Sequence, residues 1–128
     1  MKNTWKLPGA FLIISLLSAC SPKLAGTWSI QKYETSTPGQ EGVSLKNIGT
    51  ITFAKSGNGE KNISYSIFGS VVEDNLPFTW TASGNLITIN SEGSELSKTW
   101  IVVENKKKAQ RWKSTDGANQ VQILEIAR

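Results

Sequence analysis

After residue 24 the chain alternates apolar and polar positions in short runs. Clusters of Gly, Asn, Asp, Pro and Ser break the runs at regular intervals. Period-two alternation rich in β-branched and aromatic residues is the pattern of half-buried strands. It predicts eight strands, at residues 26–33, 48–55, 63–71, 78–82, 86–90, 97–104, 109–114 and 121–127. The segments SGNGEKN, EDNLP, SGN, SEGSE, NKKK and TDGANQ supply turn chemistry between them. Only residues 34–45, ETSTPGQEGVSL, read as a longer connection, a lid or Ω-loop. No stretch of this part of the chain sustains a helical period.

Strands joined by tight turns pair with their sequence neighbours, which makes an antiparallel meander. Such a meander must hide its two edges, either by packing two sheets or by closing on itself. The expected fold is therefore all-β, an eight-stranded antiparallel up-and-down barrel, with a β-sandwich as the alternative. The Cys-Trp-Cys spacing of immunoglobulin domains is absent.

The first residues follow a different pattern. Lys2 and Lys6 precede a nearly unbroken apolar run at residues 7–17, which ends in small residues and the lone Cys20. A basic start, a short apolar run and a small-residue cleavage site describe a secretory signal peptide. The run is too short for a spanning helix, which needs about 20 residues. Leu17-Ser18-Ala19-Cys20 resembles the lipobox of bacterial lipoproteins. That resemblance implies cleavage before Cys20, a diacylglyceryl group on its thiol and acylation of the new amino group. It divides the chain into a signal peptide at 1–19, a lipidated tether at 20–24 and a barrel domain at 25–128. Two or three acyl chains satisfy the need for more than one chain in stable anchoring. Ser21 stands where an aspartate would mark inner-membrane retention, so the expected address is the outer membrane, facing the periplasm.

Removing the leader changes the charge. The fourteen basic residues become twelve against ten acidic ones, and the formal charge falls from +4 to +2. Nothing in that balance calls for a nucleic-acid partner. The remaining 109 residues suffice for one core. Histidine is absent and the sole cysteine is assigned to lipid, which excludes Ser-His and Cys-His dyads and His- or Cys-rich zinc sites. No cofactor or metal is expected, and the chain does not read as an enzyme. Glu73-Asp74 is read as a solvated turn. Ser56-Gly57-Asn58-Gly59 is read as a hairpin, since no helix or Lys-Ser/Thr pair follows it. Lys106-Lys107-Lys108 is a solvated hairpin tip, with contact to anionic headgroups as the functional alternative.

The two ends of the domain carry a second resemblance. Leu24-Ala25-Gly26-Thr27-Trp28 opens the first strand, and Leu124-Glu125-Ile126-Ala127-Arg128 closes the last. Between them lie Thr50-Ile51-Thr52-Phe53 with Gly57, and Trp80 with Asn85, Leu86 and Ile87. In this order they resemble the lipocalin, or calycin, pattern as found in bacterial lipoproteins. The resemblance implies that the Trp28 indole lies across the closed end of a barrel, beside Gly26. It also implies that Arg128 packs on that ring, a cation–π contact worth about 0.5–2 kcal/mol. It further implies non-catalytic binding of a small apolar or amphipathic molecule. Shorter strands than in ligand-carrying lipocalins, and no C-terminal helix pattern, mark the departures.

Phe53, Tyr65, Phe78, Trp80, Trp100 and Trp112 are the candidates for a ligand site or for core. Parity places Ile63, Tyr65 and Ile67 on one strand face, and Phe78 with Trp80 on another. Either these rings fill the interior, or some line a cup open at the end away from Trp28. A filled interior would instead suit an envelope-assembly module with a protein partner on its outer surface.

Overall fold

The computed structural model describes residues 23–115 and 119–128. The expected signal peptide, the lipobox residues Leu17, Ser18 and Ala19, and the lipidation site Cys20 lie outside the described residues.

Nine strands form one antiparallel sheet: β1 (Gly26–Ser36), β2 (Val43–Phe53), β3 (Asn58–Ile67), β4 (Ser70–Asp74), β5 (Phe78–Ser83), β6 (Leu86–Asn90), β7 (Thr99–Lys106), β8 (Ala109–Thr115) and β9 (Val121–Ala127). Eight of them close a ring in the order β1-β2-β3-β5-β6-β7-β8-β9, with β9 returning to β1 from Ser29↔Ala127 to Ser36↔Val121. The closed eight-stranded barrel expected from the alternation is thus the fold. Closure removes the edges that a meander of this length would otherwise expose.

Three expectations need correction. The expected strand at 63–71 is a hairpin: β3 and β4 pair from Ile63↔Asp74 to Ile67↔Ser70 around Phe68 and Gly69. Both turn residues have positive φ, 49° and 79°. Apolar residues recur at positions 63, 65, 67 and 71, and Phe68 stands where Asn or Asp would signal a turn, which is why the stretch reads as one strand. The expected long connection at 34–45 is mostly strand, because β1 and β2 keep pairing from Lys32↔Lys46 to Thr35↔Val43. Glu73-Asp74 sits at the end of β4, and only Glu73 is exposed. Its neighbour points inward, as alternate strand residues must.

These corrections give the barrel its shape. β1 and β2 have 11 residues each and β3 has 10, whereas β5 and β6 have 6 and 5. One wall therefore rises above the other. At the short side β3 pairs with β5 only through Asn58↔Thr79 and Gly59↔Phe78, and β4 takes over that edge of β3 above them.

Inward positions alternate with outward ones: Trp28 and Ile30 on β1, Trp100 and Val102 on β7, Leu124 and Ile126 on β9. A bulge between Ile30 and Lys32 shifts the register on both sides of β1, so that Tyr33 also points inward. Gly59 is an inward position where backbone and ring meet: a Cβ there would lie 2.1 Å from Phe78 Cζ.

Candidate functional site

The closed end is built from both chain ends of the domain. Trp28 is fully buried, and its Nε1 donates to the Leu24 carbonyl at 2.8 Å. The Arg128 guanidinium carbon lies 4.2 Å from the centre of the Trp28 ring. Its Nη1 and Nη2 donate to the carbonyls of Ala25 at 2.8 Å and Lys23 at 3.2 Å. The cation thus lies over the ring while satisfying backbone acceptors, a strong geometry for both interactions. Gly26 leaves room for it, since a Cβ would stand 3.0 Å from Nη1.

Above this plug the interior is solid with aromatic rings. Phe53 meets Phe78, Trp80 and Trp112 edge-on, at centroid distances of 5.3, 5.3 and 5.9 Å. Trp100 and Trp112 are tilted against each other at 6.3 Å. Buried indole N–H groups need acceptors. Trp100 Nε1 donates to the Leu96 carbonyl, and Trp112 Nε1 to Gln110 Oε1. Trp80, half-buried, donates to the carbonyls of Ala54 and Asn58.

The packing stops at the mouth, where the tall wall has nothing opposite to meet. A cavity of about 350 Å³ opens there, lined by Tyr33, Thr35, Val43, Leu45, Tyr65, Ile67, Val72, Glu95, Gln120 and Gln122. A smaller lobe of about 80 Å³ continues toward Ile48, Ile63, Leu76 and Leu96. Tyr33, Tyr65, Val72 and Glu95 line both. The larger lobe falls at the low end of ligand sites, which span roughly 300–1,000 Å³. Its walls combine apolar and aromatic side chains with the polar Thr35, Glu95, Gln120 and Gln122. At one side Gln122 Nε2 donates to the Tyr33 hydroxyl at 2.9 Å, while Lys98 Nζ donates to Gln122 Oε1. Burial pushes the Tyr33 phenol up to about 12, and burial also raises that of Tyr65. Both are therefore neutral at physiological pH.

Next to the smaller lobe runs a polar seam. The Lys61 side chain is wholly buried, and its Nζ contacts both Asp74 carboxylate oxygens at 2.9 Å and donates to Ser91 Oγ at 2.9 Å. Asp74 also accepts from Ser94 Oγ at 2.6 Å and from the Leu76 amide at 3.2 Å. Ser91 Oγ donates to the Pro77 carbonyl at 3.0 Å. Burial pushes the Asp74 carboxyl up, but the bonds from Ser94, Lys61 and Leu76 outweigh it and hold the group below its ordinary value. The seam spans the place where β3 loses β5 as a partner, and ties β4 to the connection between β6 and β7.

The six aromatic candidates therefore separate. Phe53, Phe78, Trp100 and Trp112 are buried in the packed layer, Trp80 borders it, and Tyr65 alone lines the cavity. Gly26, Trp28 and Arg128 lie together at the opposite, closed end. Sequence reasoning missed Val43 and Leu45, placed in the expected loop, and Glu95, placed in a turn. It also missed the Lys61–Asp74 pair. The alternation of Val43 with Leu45 is the signal that could have extended β2. Among the described residues no group of three or more His, Cys, Asp or Glu is placed to hold a metal ion.

Comparison with known proteins agrees with this architecture. A family model described as a lipocalin-like domain matches residues 24–109. The crystal structure of a lipocalin-like protein from Bacteroides uniformis superposes with a TM-score of 0.50, covering 79% of this chain and 96% of that one at 15% sequence identity. At that identity the likeness speaks for the fold. A search of curated proteins returned no match. With the family model spanning Trp28 and six of the eight ring strands, the chain belongs to the lipocalin-like domain family.

Proposed function

We propose that this protein binds a small apolar or amphipathic molecule at the barrel mouth, without chemical turnover. Acyl chains on Cys20 hold it in the outer membrane, facing the periplasm. The observation that carries the binding reading is the cavity itself. Its lining of Tyr33, Val43, Leu45, Tyr65, Ile67 and Val72 offers apolar burial, and a few polar groups fix orientation. Its size limits the occupant. Ordering a bound molecule costs about 4–15 kcal/mol, while each buried methylene contributes about 0.8 kcal/mol. A compact ligand with a ring or short chain suits the cup better than a long fatty acid, because the packed layer below blocks further descent.

The anchoring reading draws support from where the chain enters the barrel. Lys23 lies at the closed end against Arg128, so a tether of residues 20–24 reaches at most about 3.5 Å per residue from that pole. The mouth then faces away from the anchoring membrane.

A second reading, an interaction module for another envelope protein, rests on the β3–β4 tip. Phe68 is 93% exposed there and Val71 70%. Native mass spectrometry of the protein after incubation with an extract of its own envelope tests between them. A stoichiometric small-molecule adduct supports the cup. A clean mass from folded protein, together with loss of a co-purifying protein in a Phe68→Ser variant, supports the module.

A further inference from the structure

Charge is distributed unevenly along the barrel axis. The connections and strand ends at the mouth carry Glu41, Glu73, Asp74, Glu92 and Glu95. Of the basic groups toward that end, Lys98 is engaged on Gln122, Lys61 is buried against Asp74, and Lys46 and Lys113 are exposed on β2 and β8 and line neither lobe. Lys98 lines neither lobe of the cavity. Glu95 lines both lobes, together with the two tyrosines that flank the throat between them. No hydrogen bond or ion pair engages its carboxylate among the described residues. The Tyr65 hydroxyl is likewise without a hydrogen-bond partner among them.

We infer that the cup selects for charge, taking an amphiphile with a compact apolar body and a cationic ammonium head. Glu95 is the counter-ion, and Tyr33 and Tyr65 form the wall against which the head lies. The inference rests on the binding reading above. Three physical points lead to it. An ammonium group is attracted to the faces of aromatic rings, by about 0.5–2 kcal/mol depending on desolvation. Both tyrosines stay neutral, so the rings keep their phenol form and add no charge of their own. An apolar cleft with acidic groups at its entrance focuses the field and favours cations over anions during approach. A fatty acid carboxylate would meet Glu95, and Glu73 at the smaller lobe, with like charge and lose affinity to both.

The test is calorimetric titration of the full-length chain in phosphatidylcholine nanodiscs, with empty nanodiscs as the blank. The probes are hexyltrimethylammonium, hexanoate and hexanol, which share one apolar body and differ in charge. The expected result is binding of the cation about tenfold tighter than hexanoate, weakening with added salt. A Glu95→Gln variant, changed at an exposed position, should bring cation and hexanol to within about twofold of each other. Equal binding of all three probes, or a preference for hexanoate, overturns the charge inference but leaves the cup reading standing. Binding of none of them by folded protein overturns both.

Discussion

Lys61 lies in the surroundings least suited to its side chain, a lysine with no exposed side-chain surface inside a β-barrel. Its charge is tolerable only because Asp74 and Ser91 meet it directly. Removing one partner of a buried pair leaves the other uncompensated, at about 3–5 kcal/mol. Asp74→Ala should therefore destabilise the fold by about that much in chemical denaturation. Lys61→Met should do less harm, since the Asp74 carboxylate keeps Ser94 and the Leu76 amide. The depressed Asp74 value contributes stability that is present above the ordinary carboxylate range and lost as pH falls through the folded value. Tyr33 works in the opposite direction. Its folded value of about 12 exceeds the ordinary 10.0, so its contribution is complete below pH 10 and disappears as pH rises toward 12. Ultraviolet titration should show one of the two tyrosines ionising near pH 12, and Tyr33→Phe should abolish that step. At the other pole, Trp28→Ala should cost about 3–5 kcal/mol and Arg128→Met about 0.5–2 kcal/mol. Gly26, Trp28 and Arg128 were legible through the lipocalin resemblance, which sets them at the two ends of the domain. Lys61 and Asp74 were not, because 13 residues and a hidden turn separate them.

At the scale of elements, the β3–β4 hairpin breaks local rules most clearly. A two-residue loop with both φ values positive favours Asn-Gly or Asp-Gly, yet Phe68 precedes Gly69 here. A bulky residue at positive φ is an outlier, and this one also exposes nearly its whole side chain. Phe68→Asn should raise stability by about 0.5–2 kcal/mol, read as a higher Tm with unchanged tryptophan fluorescence. A loss of stability would show that the ring makes contacts that its exposure denies. The same hairpin explains the largest misreading of the chain. Residues 63–71 keep apolar residues at 63, 65, 67 and 71 on either side of the turn, and Phe at the first turn position masks the usual signal. Residues 34–45 failed for the converse reason. Their Pro, Gly and Ser suggested a loop, while the pairing of Lys32 to Thr35 with Val43 to Lys46 turns all but 37–42 into strand. The extra length is what raises the wall around the cup.

Across the whole molecule, the two poles differ in both packing and charge. The plugged end gathers Lys23, Lys55, Lys107 and Lys108, all exposed, around the place where the chain enters the barrel. The mouth is open and acidic. This arrangement suits a barrel standing on an anionic leaflet, where each lysine near the surface adds about 1 kcal/mol. Because the sequence holds one cysteine, Cys20, whose thiol the proposed anchoring would occupy with lipid, a single new cysteine can be labelled uniquely. A probe on Ser83→Cys, in the plugged-end turn, should be quenched by headgroup-level quenchers in anionic vesicles. One on Ser70→Cys, at the mouth, should not, and Lys107→Glu with Lys108→Glu should erase the difference. An antiparallel meander that closes or packs on itself was readable from alternation and turn spacing, and the lipocalin resemblance of its two ends decided for the barrel. The cavity was not, since it depends on how far one wall outreaches the other, a difference of pairing length that no single strand displays.

The most direct test of the cup is chemical-shift mapping by NMR with hexanol as a neutral apolar probe. The expected result is a saturable shift confined to Tyr33, Leu45, Tyr65, Ile67, Val72 and Gln122, with Phe53, Trp100 and Trp112 unmoved. Shifts spread over the outer faces, or none at saturating probe, would contradict a binding site at the mouth and leave the barrel as a filled module.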